Sequence, residues 1–406
     1  MKINSTIAVV GGGPAGLMAA EVLATAGFRV TLYDAMPKPG CKFLMAGKGG
    51  LNLTRDEPLT DFVQKYGRNA QFFAQLLKQF SPNDLREWAK AKGVATFVGS
   101  SGRVFPKESG AGRLLTAWLQ HLSELGVDIR TGYRWLGFTA DRTLRFCNQQ
   151  GEEISIHPDA ALLSLGGASW PQTGSDGRWS AILAAAGIKV ERFRPANCGF
   201  EVAWSSFFRQ RFAGAPLKNL TLITESGSTA HGDIVITDYG IEGGAVYTLC
   251  AELRDKIEEQ GQATLYLDLK RDLTEPEILE RLAKSRHKDT FSNHLRKTLK
   301  ISGPLPSLIK ECVPSTDLVD LKSFSGLIKK MPLVLKAPRP LVEAISTAGG
   351  IAMVEINEDL MLRKLPGIFV AGEMLDWEAP TGGYLLQGVF STGVAAAHGI
   401  MHRLRN

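Results

Sequence analysis

The sequence is poor in the features that mark exported, membrane-spanning or metal-dependent proteins. Its five cysteines, Cys41, Cys147, Cys198, Cys250 and Cys312, are scattered without a CxxC pair. That excludes a disulfide framework and a zinc cluster and points to free thiols in a reducing cytoplasm. The seven histidines, among them His231, His287, His294 and His398, show no ligand spacing, so no metal site is expected. Uninterrupted apolar runs fall short of a membrane span. An apolar strand pattern begins almost at once, without the basic and apolar regions of an export signal. Internal repeats and low-complexity tracts are missing, and there is one GxGxxG, with no second copy.

What remains is an ordinary globular composition, 44% hydrophobic and 22% charged, over 406 residues, which implies more than one domain. Lysine and arginine number 47 against 41 acidic residues, a net charge of +6. Part of that excess lies between Arg281 and Lys300, where Lys284, Arg286, Lys288, Arg296 and Lys297 face only Asp289. Such a helical cationic stretch suits either RNA phosphates or plain solvent, and both readings stay open.

The most informative segment is Ile7 to Asp34, which reads as strand, glycine turn, helix and second strand ending in a carboxylate. Gly11 permits the sharp turn, Gly13 lets the backbone approach a pyrophosphate, and Gly16 allows close packing of helix on strand. Pro14 and Ala15 open the helix, whose N-terminus presents free N–H groups and the positive end of its dipole. Asp34 stands where a carboxylate accepts hydrogen bonds from ribose hydroxyls.

Strand and helix patterns alternate through residues 1–195, as a doubly wound α/β sheet requires. Helices are expected at Ala70–Gln79, Asn83–Lys92 and Gly112–Leu125, the last closed by Gly126. Short β-rich runs follow at Thr221–Glu225, Asp233–Thr237, Ala245–Leu249 and Thr264–Leu269, suggesting a small barrel or sandwich over 196–272 and 332–344. Helical patterns return over 273–331 as a subdomain, and residues 345–406 resume the character of the first part. The expected fold is therefore a Rossmann-like dinucleotide domain, 1–195 with 345–406, carrying an inserted β-barrel and a helical subdomain.

Three further glycine clusters specify which dinucleotide. Between Lys42 and Thr54, Gly47, Gly49 and Gly50 let backbone N–H groups crowd a flat ring or phosphate, with Lys48 and Asn52 as polar contacts. Ala161 to Leu165 reads as a buried strand running into Gly166 and Gly167. A third cluster has Gly372 and Glu373 after a strand, then Gly382 and Gly383 opening an apolar helix. There Glu373 suits a ribityl hydroxyl, and the helix N-terminus suits the negative charge of a reduced flavin. A distant second clamp of this kind fits FAD.

The stretches Pro39 to Thr54, Gly102-Arg-Val-Phe-Pro106 and Gly372 to Gly388 resemble the YhiN/BaiN-like family of FAD-binding oxidoreductases, and the resemblance runs over nearly the whole chain. It implies a flavoprotein of the two-dinucleotide-binding type, with FAD held by Gly11, Gly13, Gly16, Asp34, Lys42, Gly47, Gly49, Asn52, Gly372, Glu373, Gly383 and Tyr384. The sequence departs from that family's loop in carrying Gly50-Leu51 where Arg-Cys is usual. A thiol or guanidinium role at that place is therefore missing.

The resemblance implies reduction of a conjugated carbon–carbon double bond in a small molecule, with NAD(P)H as transient reductant. It equally accommodates uridine reduction in ribosomal RNA and oxidation of an amino ketone; a non-catalytic redox sensor is the alternative outside catalysis. If a proton must be moved, Lys48, Tyr384 and Glu378 are the candidates, because their motifs should border the ring. Trp170 and Trp377 flank the same segments and suit either ligand stacking or core packing.

Overall fold

Short apolar runs separated by helices assemble into a parallel sheet. The computed structural model describes residues 5–107, 110–139, 141, 143–284, 289–314 and 320–405. The chain divides into two compact units, the first made of residues up to Arg194 and from Ser346 onward, the second of Pro195–Ile345.

In the first unit five strands lie in the order Ile368–Val370, Ala160–Leu163, Thr6–Val10, Arg29–Asp34, Asp128–Thr131. All neighbours in it are parallel. Ala160–Leu163 is buried at every position, the continuous apolar run expected of a strand covered on both faces. The helix Pro14–Thr25 begins directly after the first strand and is capped by Gly13. It packs on the closing helix Tyr384–Arg405 so tightly that a Cβ on Gly393 would stand 2.5 Å from the Ala15 carbonyl oxygen. The buried Glu21 of this first helix is neutralised by Lys92 Nζ at 2.6 Å and accepts Trp88 Nε1 at 3.1 Å, so the helix Pro82–Ala91 is anchored as well.

The helix Ala70–Gln79 forms over its expected span, and the other two expected helices differ at their ends for identifiable reasons. The second starts at Pro82 rather than Asn83, because Ser81 and Asp84 form a reciprocal capping box and Pro82 occupies the first turn. The third ends at Glu124, and Gly126 takes up φ +78 just beyond it. One reading needs correction. Ala245–Leu249, expected as a strand, is the helix Gly244–Thr248. It follows Gly243 at φ +124 and buries Ala245 and Val246, an apolar run too short for periodicity to distinguish. The glycine-rich stretch around Lys42 begins as the helix Cys41–Ala46, which follows Gly40 at φ +75.

The second unit holds a seven-stranded antiparallel sheet that begins with Met331–Leu335 and ends with Ala337–Pro338. These two end strands are separated along the chain by Lys336 alone, which makes the sheet barrel-like. Helices Glu275–Leu282, Phe291–Leu299, Leu305–Cys312 and Leu321–Lys329 share its apolar core through Ile278, Leu295, Leu308 and Phe324. Arg286, His287 and Lys288 of the basic stretch lie outside the described residues. Among the described residues no helix is long and apolar enough to cross a membrane, and no cluster of potential metal ligands occurs. All five cysteines are free.

Candidate functional site

At the first turn the three glycines have different reasons to be there. A Cβ on Gly11, at φ +106, would run into the Ser164 carbonyl, and one on Gly16 would run into the Gly11 carbonyl. Those two are required by the fold. Gly13, by contrast, has nothing within 4 Å of where its Cβ would stand, and its φ of −78° suits any residue. The space before it is an open cradle. No side chain caps the helix and Pro14 brings no N–H, so the first-turn amides of Ala15 and Gly16 are left for an external acceptor. This donor set fits a pyrophosphate.

Asp34 closes the second strand, but its carboxylate is already engaged by the backbone. Oδ2 accepts Gly12 N at 2.6 Å and Oδ1 accepts Met36 N at 2.7 Å. Burial pushes the carboxyl above its usual range, and the two N–H bonds pull it partly back. Each oxygen keeps a lone pair, so the group both locks the glycine turn and can accept a hydroxyl.

Three clusters far apart in sequence meet around Lys42. Its Nζ donates to Ser169 Oγ at 2.8 Å and to Glu373 Oε2 at 2.9 Å, while Thr347 N approaches Glu373 Oε1 at 3.4 Å. Thr347 Oγ1 accepts Ala168 N and Ser169 N, and a Cβ on Gly167 would collide with that hydroxyl. Gly166, at φ +74, sits against Ser175 Oγ, and its carbonyl accepts Trp179 Nε1 at 2.8 Å. Gly372 N donates to Thr392 Oγ1, and its carbonyl accepts Trp377 Nε1. Trp377 is buried beside Tyr66 and Phe73, which assigns it to the core. Trp170 is half-buried at φ 56°.

The second glycine turn carries charge. Gly382 and Gly383 stand at φ +111 and +101, and a Cβ on Gly383 would collide with the Thr54 backbone. Tyr384, first residue of the closing helix, donates its hydroxyl to Glu57 Oε1 at 2.8 Å; Glu57 Oε2 accepts Arg55 Nε at 2.9 Å. The Arg55 guanidinium lies 5.7 Å from the Tyr384 ring centroid. Burial, and then the Glu57 carboxylate, hold the Tyr384 phenol well above its ordinary range. It therefore stays neutral through the physiological range, its proton directed at Glu57. Three buried polar atoms near this turn have no partner among the described residues: Asn52 Oδ1, Thr54 Oγ1 and Arg103 Nε.

The remaining expected residues are dispersed. Lys48 and Gly49 are exposed, whereas Gly47 packs so closely on Ala111 that a side chain would not fit. Glu378 is half-buried next to the buried Asp376, which Arg68 holds at 2.7 Å. Sequence reasoning missed Arg55 and Glu57 because they lie in no glycine motif; Ser169, two residues after Gly167, and Thr347, two before Gly349, were also missed although they stand beside glycine clusters that could have flagged them. Arg103 was within reach, since Gly102-Arg-Val-Phe-Pro106 is one of the stretches that carried the resemblance.

Comparison with known proteins agrees with this architecture. Residues 5–399 match the model of the HI0933-like protein Rossmann domain. The 3-dehydro-bile acid delta(4,6)-reductase of Clostridium scindens is 24% identical, with 98% of this chain and 99% of that protein aligned. The ribosomal RNA dihydrouridine synthase of Escherichia coli is also 24% identical, with 97% of each covered. Among solved structures, the 3-ketosteroid-delta4-(5alpha)-dehydrogenase of Rhodococcus jostii RHA1 superposes with a TM-score of 0.51 at 15% identity, covering 98% of this chain and 96% of that one.

Proposed function

The chain belongs to the HI0933-like Rossmann family and is an FAD-dependent oxidoreductase, and from that premise we propose that it uses NAD(P)H to reduce a carbon–carbon double bond conjugated to a carbonyl in a cytoplasmic substrate. Bound FAD supplies the two-electron chemistry by which a hydride from the nicotinamide reaches the substrate carbon. Overall, one hydride and one proton add across the double bond and the dinucleotide leaves oxidised.

The chain's own residues divide the remaining work. Gly13, Ala15 and Gly16 bind the pyrophosphate through backbone, and Asp34 fixes that turn while offering a lone pair to ribose. Lys42, Asn52, Gly372, Glu373, Gly382 and Gly383 hold the flavin half. Lys48, exposed, and Glu378, half-buried, remain with Tyr384 the candidates for moving a proton if one must be moved.

One observation carries the reading: beside the turn Gly382–Gly383, two arginines stand against the one carboxylate Glu57, a net positive charge among the described residues. The turn opens a helix of 22 residues, and around the Cβ position of Gly382 stand Arg55 Nη1 at 3.6 Å and Arg103 Nε at 3.8 Å. A reaction that builds negative charge there is favoured over one that withdraws it. The reductase name of the Clostridium scindens relative supports the same direction. Anaerobic mixing of the FAD-loaded protein with NADH and with NADPH tests the proposal. Rapid loss of the flavin's visible absorbance with either one is expected; no loss with both overturns it, and substrate-dependent peroxide would then indicate an amino-ketone oxidase.

A second reading makes the double bond that of a uridine in RNA. It is favoured by Lys284, Arg296 and Lys300, all exposed; Lys297 is tied to Asp289 at 2.8 Å. Binding to a uridine-containing RNA hairpin that weakens steeply with added salt is the expected result. Salt-independent or absent binding removes this reading.

A further inference from the structure

The strands Thr54–Arg55 and Arg103–Pro106 pair antiparallel with Arg55 directly opposite Arg103. Like charges in that relation repel, and a sheet gains nothing from placing them so. Glu57 relieves half of the conflict by binding Arg55 Nε at 2.9 Å, and its second oxygen is taken by Tyr384. Among the described residues no carboxylate answers Arg103. Among the described residues its Nε is buried without a hydrogen-bond partner, and its guanidinium enters no ion pair. A buried donor of this kind is costly unless something external satisfies it. Thr54 Oγ1 and Asn52 Oδ1 are also buried and unpartnered among the described residues, but Thr54 pairs with Val104 and so stands on the opposite face of the ladder from Arg103.

Among the described residues, two arginines against one carboxylate leave the cluster with one positive charge beside the Gly382–Gly383 turn. We propose that Arg103 is the substrate-oxygen residue of this enzyme: its guanidinium takes the carbonyl oxygen of the conjugated substrate and holds it as it becomes an enolate oxygen. This rests on the double-bond reduction proposed above. When hydride adds to the carbon distal to the carbonyl, the double-bond electron pair moves inward and the carbonyl pair moves onto oxygen. A proton from solvent then adds to the carbon next to the carbonyl, and the ketone is restored. The charge on oxygen exists only during reaction, so a fixed guanidinium there lowers the barrier more than it tightens ground-state binding. Arg55 lacks this freedom because Glu57 already neutralises it.

A phenolate mimics an enolate, and 4-nitrophenol reports its own ionisation by absorbance. It is titrated into the FAD-loaded wild type, Arg103→Met and Arg103→Lys, with benzoate as a carboxylate control. In the wild type, bound nitrophenol is expected to ionise at lower pH than the free compound. Arg103→Met should weaken binding at least tenfold and abolish that shift, with FAD content unchanged; Arg103→Lys should keep part of both. Because the substitution removes the cross-strand repulsion, ligand-free Arg103→Met should melt no lower than the wild type, an outcome that a purely structural arginine would reverse. Equal nitrophenol binding by wild type and Arg103→Met overturns the proposal. So does binding of benzoate without nitrophenol, which would make this a carboxylate site. Failure of NAD(P)H to bleach the flavin while nitrophenol still binds through Arg103 sinks the reductase reading and leaves the subsite standing; bleaching with unaltered nitrophenol binding in Arg103→Met does the opposite.

Discussion

The two glycine turns of the first unit, each opening a helix, leave room for a ligand by opposite means. At Gly11–Gly16 the binding surface is backbone: open amides, a helix terminus and an empty space before Gly13, all within one contiguous segment. At Gly382–Gly383 the backbone only makes room, and the character of the site comes from side chains at positions 52–57, 103 and 384. A backbone site is specified by local geometry and tolerates little substitution. An assembled charged site is specified by packing, and its members can be changed one at a time with graded effects.

The largest effect that separates them is expected from Gly16→Val. Its Cβ would enter the Gly11 carbonyl, so overpacking should cost about 3 kcal/mol or more, read as a lower denaturant midpoint even without FAD. A variant as stable as the wild type would show that the turn is not set by this contact.

Lys42→Met comes next. It strips the cation from Glu373, whose side chain is 9% exposed, while Lys42 itself is 25% exposed. Solvent access lowers the cost from that of a fully buried pair to about 2 kcal/mol. A double-mutant cycle with Glu373→Gln checks it: the double variant should recover most of the loss. Additive effects would mean the pair does not couple the three clusters.

Gly13→Ala sharpens the contrast from the other side. The protein has room for the methyl group, so folding stability should change by no more than about 0.5 kcal/mol. The methyl should nevertheless fill the cradle, and FAD affinity should fall about tenfold, ~1.4 kcal/mol, by fluorescence titration. Unchanged affinity would remove Gly13 from the site.

The smallest effect belongs to Tyr384→Phe. Burial and Glu57 raise the phenol in the folded state, so folding disfavours its ionisation. The tyrosine's stabilising contribution is complete below the unfolded value of about 10, and it is lost as the pH rises toward the folded one. Replacing it with phenylalanine should leave neutral-pH stability within about 1 kcal/mol and flatten the alkaline decline in melting temperature. An unchanged alkaline slope would show that this phenol ionises as freely as in the unfolded chain.

Much of this molecule was readable along the chain because its rules are local. The GxGxxG with Asp34, the continuous apolar strand Ala160–Leu163 and the helix-opening glycines at 382 and 383 each follow from steric and hydrogen-bonding demands over a few residues. Where locality fails, so did the reading: Ala245–Leu249 is too short a run for its period to reveal a helix. The packing of Gly47 against Ala111 was likewise not legible from its own segment. The ion pair between Lys42 and Glu373, the opposition of Arg55 and Arg103, and the three polar atoms left without partners join positions tens to hundreds of residues apart. Local sequence determines where the backbone can turn and which faces must be buried. Which charges then meet, and which one goes unanswered, depends on strand register and burial, and those exist only once the chain has closed on itself.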